Sequence, residues 1–229
     1  MGKVSKKMAS VEQATTALLK ETSKNSKLVG KVYLNVSLPV TPKPSTMPTL
    51  IPLPNRFRKK DEELICFVVK DPAKKYQDAL GNSEITGELF DEVIGVGKLQ
   101  KRLHGSNKAI QEFASSFPII LAQDKVIPPL LKALGPRYLK NARSMPVPIE
   151  LDSPIDLRKV RIQTRQIVKC TQLVMKNSDF ISLHVGHSLM DQKKLQENIT
   201  AAAMYVKKQW PGVKLSIKTP ESASLPIVA

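Results

Sequence analysis

Two kinds of strand occur in this chain, and no single sheet suits both. KVYLNVSL, residues 31–38, alternates Val32, Leu34, Val36 and Leu38 with Lys31, Tyr33, Asn35 and Ser37. Successive strand side chains point to opposite faces, so this is a half-buried strand of an antiparallel or mixed sheet. FISLHVG (180–186) and VKLSIKT (213–219) read alike. LICFVV (64–69), by contrast, is apolar without a break, and EVIGV (92–96) and PIILA (118–122) are short apolar strands of the same buried kind. The alternating strands lie towards the chain ends and the apolar ones between them. That order predicts an α/β protein of two parts. An outer α+β domain, residues 1–62 plus 150–229, holds an inserted three-layer, Rossmann-like α/β domain at 63–149.

Helix signals fill the gaps. Ser10 and Gln13 have capping-box spacing, and Val11, Ala14, Leu18 and Leu19 mark one face of a first helix. Asp71-Pro72 is an acidic cap followed by a first-turn proline. A helix over 98–117 uses Leu99, Leu103, Ile110, Phe113 and Phe117. Asp124 caps another, which tolerates Pro128 and Pro129 in its first turn and stops at Gly135-Pro136 before a basic loop, Arg137 to Arg143. Residues 157–170 form a helix with Arg158, Arg161, Arg165 and Lys169 three or four apart. Asp191 opens the last helix, whose stripe is Leu195, Ile199, Ala202, Ala203, Val206 and Trp210.

Charge narrows the function. The 229 residues carry a formal +16, which in a folded chain calls for a polyanion, most often nucleic acid. Segments 1–62 and 150–229 hold 12 basic residues each against 4 and 7 acidic, while 63–149 holds 12 against 9. The outer domain is therefore the expected binder. No run approaches the ~20 apolar residues of a membrane span, and the N-terminal cations have no apolar core behind them, so neither a membrane partner nor a secretory signal is expected. Cys66 and Cys170 read as buried small hydrophobes of a reducing compartment, the cytosol or nucleus.

Enzyme chemistry finds little support. Gly95-Val96-Gly97-Lys98 lacks the spacing and following hydroxyl of a phosphate loop, so its glycines suit a tight strand-to-helix turn. His184 and His187 have no ligand-spaced partner. No nucleophile–base constellation is present, and no catalytic residue, metal, cofactor or small-molecule substrate is expected. The basic sets carry more. Arg56, Arg58, Lys59 and Lys60 surround Phe57, a ring that could stack on a base, and the 158–169 helix face has no acid at i±4. With aromatics at only 5%, recognition of folded RNA through backbone, shape and 2′-hydroxyls is expected, rather than of extended single strands.

LGPRYLKNARSMPVPI (134–149) resembles the leucine-glycine-proline-arginine to methionine-proline-x-proline segment of the ribosomal protein L-one family, the mobile large-subunit stalk protein. The element order resembles that family's too, and LICFVVKDP (64–72) and FDEVIGVGKLQKR (90–102) stand where it has inserted-domain strands. The resemblance implies an L-one-like two-domain fold whose outer domain clamps structured RNA with residues 31–35 and 218–224. It thereby adds Lys31, Tyr33, Lys218, Thr219, Ser222 and Ser224 to the candidate RNA-binding residues. It departs from ribosomal members where Ser224, Leu225 and Pro226 replace a threonine-methionine-glycine turn, and where Ser26, Lys27 and Leu28 replace an aromatic-acid pair. The ending IKT…SLPI instead resembles the L-one-like ribosome-biogenesis factors of the eukaryotic nucleolus.

That resemblance implies a non-enzymatic factor of the nucleus and nucleolus. It would bind ribosomal RNA or its precursor alongside other assembly factors and ribosomal proteins, on the large-subunit precursor at the second internal transcribed spacer. The alternatives are a small-subunit processome component or a stalk protein. The inserted domain is left to dock protein neighbours or a second RNA helix.

Overall fold

The computed structural model describes residues 9–58, 64–81, 83–141, 145–151 and 154–228. The chain divides into two compact units: residues 1–44, 49–58 and 169–229 form unit 1, and 45–48 with 59–168 form unit 2.

Unit 1 is a five-stranded sheet with helices on one face. Its strands are β1 (Ala9–Ser10), β2 (Lys31–Ser37), β9 (Phe180–His187), β10 (Lys214–Lys218) and β11 (Leu225–Val228), in the order β1-β11-β10-β2-β9. β1 runs parallel to β11 and the other pairs are antiparallel. Segments separated by some 150 residues thus share one sheet, as the alternating pattern requires. Helix α1 (Val11–Lys24) begins at the expected capping box: the Gln13 amide donates to Ser10 Oγ and the Ser10 amide to Gln13 Oε1. Its Ala14 and Leu18 join Val32, Leu34 and Val36 of β2 and Leu195, Ile199, Ala202, Ala203 and Val206 of α7 (Gln192–Gln209) in one core. A two-stranded antiparallel ribbon completes the unit: β3 (Thr49–Pro52) pairs with β8 (Cys170–Leu173).

Unit 2 is the parallel α/β part. β4 (Ile65–Val69), β5 (Glu92–Gly95), β6 (Ile119–Gln123) and β7 (Val147–Ile149) run in the order β5-β4-β6-β7, every neighbour parallel. Cys66 and Val68 of β4 face a core shared with α3 (Val96–Leu103), α4 (Asn107–Ser116) and α5 (Ile127–Asn141). Ile65, Phe67 and Val69 point the other way and are equally buried. That second face falls to α2 (Lys74–Gly81), through Leu80, and α6 (Leu157–Val168), through Val160, Thr164 and Ile167. The three layers explain why the expected boundary at 149/150 moves to 168/169. Without α6, one face of a parallel sheet would be left in water.

Several local expectations change. The helix expected over 98–117 is two helices, broken where His104 and Gly105 take left-handed backbone at φ 45° and 67°. Gly135 breaks α5 at φ 74°, but the chain then resumes helical geometry to Asn141 instead of forming a loop; Arg143 lies outside the described residues. Asp71 caps a different helix from the one it precedes, since the Gly97 amide near the start of α3 donates to its Oδ2 at 2.8 Å. Helix α6 ends at Val168 and gives way to β8, a strand the sequence did not announce; β1 and β11 are likewise additions.

Candidate nucleic-acid interface

With α1 and α7 filling one face of the unit 1 sheet, the residues between the core positions look out from the other. Register arranges them in rows. Tyr33 pairs with Lys218 of β10 on one side and His184 of β9 on the other. The next row is wholly hydroxyl and amide: Asn35, itself buried, lies opposite Ser216 and Ser182, Ser182 Oγ donates to Asn35 Oδ1 at 2.7 Å, and Ser224 Oγ donates to Ser216 Oγ at 2.8 Å, so the serines form its accessible part. Lys31, opposite His187, follows beyond a bulge between Val32 and Tyr33. The result is a platform of short polar groups edged by lysines, which a sugar-phosphate backbone can approach closely.

A second strip is fastened alongside. Asn198, fully buried on α7, accepts a hydrogen bond from the Asn55 amide (2.9 Å) and donates to the carbonyls of Asn55 (3.1 Å) and Val185 (3.0 Å). The two Asn55 contacts hold the segment that carries Arg56, Phe57 and Arg58, and the third ties it to β9. Phe57 is 3% exposed and belongs to the core, so it is not the stacking ring the sequence suggested. It instead meets the His184 ring edge-on at 5.1 Å and supports the Arg58 guanidinium 4.6 Å above its own centroid. Tyr33 also packs on His184, its ring tilted with centroids 5.5 Å apart.

His184 reports the field of this corner. Burial above all, then the charges of Lys31 and Arg58, push its pKa down to about 3, against a smaller opposing effect of its Gly186 contact. The imidazole is neutral at physiological pH, and its Nε2, 3.0 Å from the Gly186 carbonyl, must carry the proton it donates there. Arg58 also lowers the Cys170 thiol against the stronger upward effect of burial. Next to Cys170 stands exposed Lys169, whose carbonyl accepts from the Leu53 amide at 3.2 Å.

The turn after β10 divides the remaining candidates. Thr219 is fully buried, so it offers no direct contact, and its Oγ1 has no partner among the described residues. Its amide donates to Ser222 Oγ at 2.9 Å, and that hydroxyl donates to the Ala223 carbonyl. Thr219 and Ser222 thus shape the turn, leaving Ser224 on the exposed side. Lys59 and Lys60 lie outside the described residues.

Residues 11–222 match the Ribosomal protein L1p/L10e family. The chain belongs to that family. Ribosome biogenesis protein UTP30 of Saccharomyces cerevisiae is 27% identical over 94% of this chain and 88% of its own length. Protein C8F11.04 of Schizosaccharomyces pombe, provisionally named a ribosome biogenesis protein, is 26% identical over 71% of this chain and 44% of itself. The large ribosomal subunit protein uL1 of Methanoregula boonei is 32% identical over 48% of this chain and 49% of itself.

In this L1p/L10e-family chain the arginines of α6 belong to unit 2, not to the outer domain in which the sequence placed them. Unit 1 keeps most of the charge all the same, with 18 basic against 6 acidic residues; unit 2 has 18 against 14. The Gly95–Lys98 turn is closed to phosphate, because the Asp71 carboxylate already occupies the start of α3. A Cβ on Gly95 would run into that carboxylate, and one on Gly97 would come within 2.9 Å of it. Cys66 is fully buried, and desolvation first, then Glu92, raises its thiol pKa, which leaves it inert. Asn198 escaped the sequence reading, as did Ser182 and Ser216, which register sets beside Asn35. A lone asparagine inside the apolar stripe of α7 was the available signal.

Proposed function

We propose that this protein is a ribosome-assembly factor of the nucleolus that grips folded ribosomal RNA or its precursor with unit 1 and performs no catalysis itself. The observation that carries this reading is the convergence of Lys31, Tyr33, Lys218 and Arg58 beside the helix-free face of the unit 1 sheet. Membership of a ribosomal protein family and likeness to a ribosome biogenesis protein support the assembly role. Phosphates lie against the lysines and arginines, while sugars and their 2′-hydroxyls approach Ser182, Ser216 and Ser224 around buried Asn35. Other assembly factors and ribosomal proteins are its neighbours.

Two measurements test this. Titration against an RNA hairpin at increasing salt should give a log–log slope near −5, as neutralising ~6 phosphates requires; a flat slope overturns the reading. Crosslinking in cells, with sequencing of the attached RNA, should place the protein on the second internal transcribed spacer of the large-subunit precursor. Reads confined to the small-subunit precursor would move it to that branch, and reads confined to mature large-subunit RNA would make it a stalk protein.

A further inference from the structure

Helix α6 has two working faces. Val160, Thr164 and Ile167 are buried. Arg158, Arg161, Ile162 and Arg165, spaced i, i+3, i+4 and i+7 on another side, line with Ile85 a hollow of about 540 Å³ within unit 2. Ile162 is 56% exposed. The helix contains no acid. Lys159 is held by Glu150 at 3.1 Å, but among the described residues none of the three arginines makes an ion pair.

An apolar floor with a cationic rim distinguishes between polyanions. RNA brings phosphates, and bases that can stack on a guanidinium plane, but no aliphatic groups for Ile85 and Ile162. A peptide helix brings both things needed: aliphatic side chains for the floor and carboxylates that guanidinium groups hold in two-pronged pairs. The volume suits a few such side chains. We propose that this face of α6 docks a protein partner through an acidic amphipathic helix, with its aliphatic side chains between Ile85 and Ile162 and its carboxylates on Arg158, Arg161 and Arg165.

The test uses the full chain and a fluorescein-labelled helical peptide of about 18 residues, leucines at every third or fourth position and glutamates between. A scrambled peptide of the same composition and an RNA hairpin serve as comparison probes. The patterned peptide should bind at least roughly tenfold tighter than the scrambled one, a preference that Arg161→Glu with Arg165→Glu, or Ile162→Asp alone, should abolish. Hairpin affinity should change less than about threefold in the same variants. Should the double reversal fail to fold, Ile162→Asp and Arg165→Gln, both at exposed positions, carry the test. Equal binding of the two peptides, or indifference to the variants, overturns the proposal. So does hairpin binding that falls as far as peptide binding, which would make this an RNA surface.

Discussion

β2 and β4 each lie between two strands of their own sheet, yet β2 leaves Lys31 and Tyr33 half-buried while all five residues of β4 are buried. The difference is one of covering. Unit 1 sets both its long helices on one face of its sheet; unit 2 covers both faces of its own. A sheet face without helices is where short polar side chains and cations can meet a large ligand, and unit 1 supplies them with a threefold excess of basic over acidic residues. In unit 2 both sheet faces are core, and its outward chemistry moves to a helix surface.

Perturbing one unit at a time should break or sharpen that contrast. Trp210, the sole tryptophan, packs on the unit 1 core, so its emission follows that unit. Asn198→Ala should have the largest effect. It strands the Asn55 amide and two carbonyls, at a cost of roughly 3 kcal/mol to unit 1, read as an earlier denaturant midpoint in Trp210 fluorescence with hydrogen exchange in β4 and β6 unchanged. Gly95→Ala is the converse. It drives a methyl into Asp71 and to within 3.2 Å of the Ala73 Cβ, so unit 2 should lose about 2–3 kcal/mol, seen as faster exchange in β4 and β5 with the Trp210 transition intact.

Lys31→Glu with Lys218→Glu should weaken RNA hairpin binding about 30-fold at physiological salt, near 2 kcal/mol, and reduce the salt slope by about 2. The same reversal at exposed Lys98 and Lys101 of unit 2 should cost less than about threefold; equal losses would erase the distinction between the units. Acid probes the same corner of unit 1. The His184 pKa near 3 lies below the ~6.5 of a free imidazole, so folding favours the neutral ring. Its contribution is complete above pH 6.5 and is lost as pH falls from there towards 3, with an upper bound of about 2 kcal/mol by pH 5. His184→Phe should flatten that pH dependence of the Trp210 midpoint.

Much of this was legible in the chain because strand texture is a direct record of covering: alternation at 31–38, 180–186 and 213–219 marked the open sheet, and unbroken apolar runs marked the closed one. What stayed hidden depended on which surfaces meet. The buried stripe of α6 would fit either sheet, and the pattern of Val160, Thr164 and Ile167 does not say which. Asp71 looked like the cap of the helix beside it in sequence, but the amide it accepts from is 26 residues on. β1, β8 and β11 are two to four residues long, too short to show a period. Phe57 sat among cations, where stacking on a base and packing under Arg58 look alike. For the site, the wet face of β2 was readable, but its row partners on β9 and β10 became visible only once register joined them.

The clamp at Asn198 has a consequence for the order of events at the ribosome that makes this protein. It ties Asn55 to a residue synthesised 143 positions later, and β2 must wait still longer for β10. Every strand of the parallel sheet has left the exit tunnel by then, free to fold while the first segment is unfinished. A half-made chain therefore lacks a completed unit 1 sheet, and the grip on RNA proposed for that sheet can form only after β10 has been made.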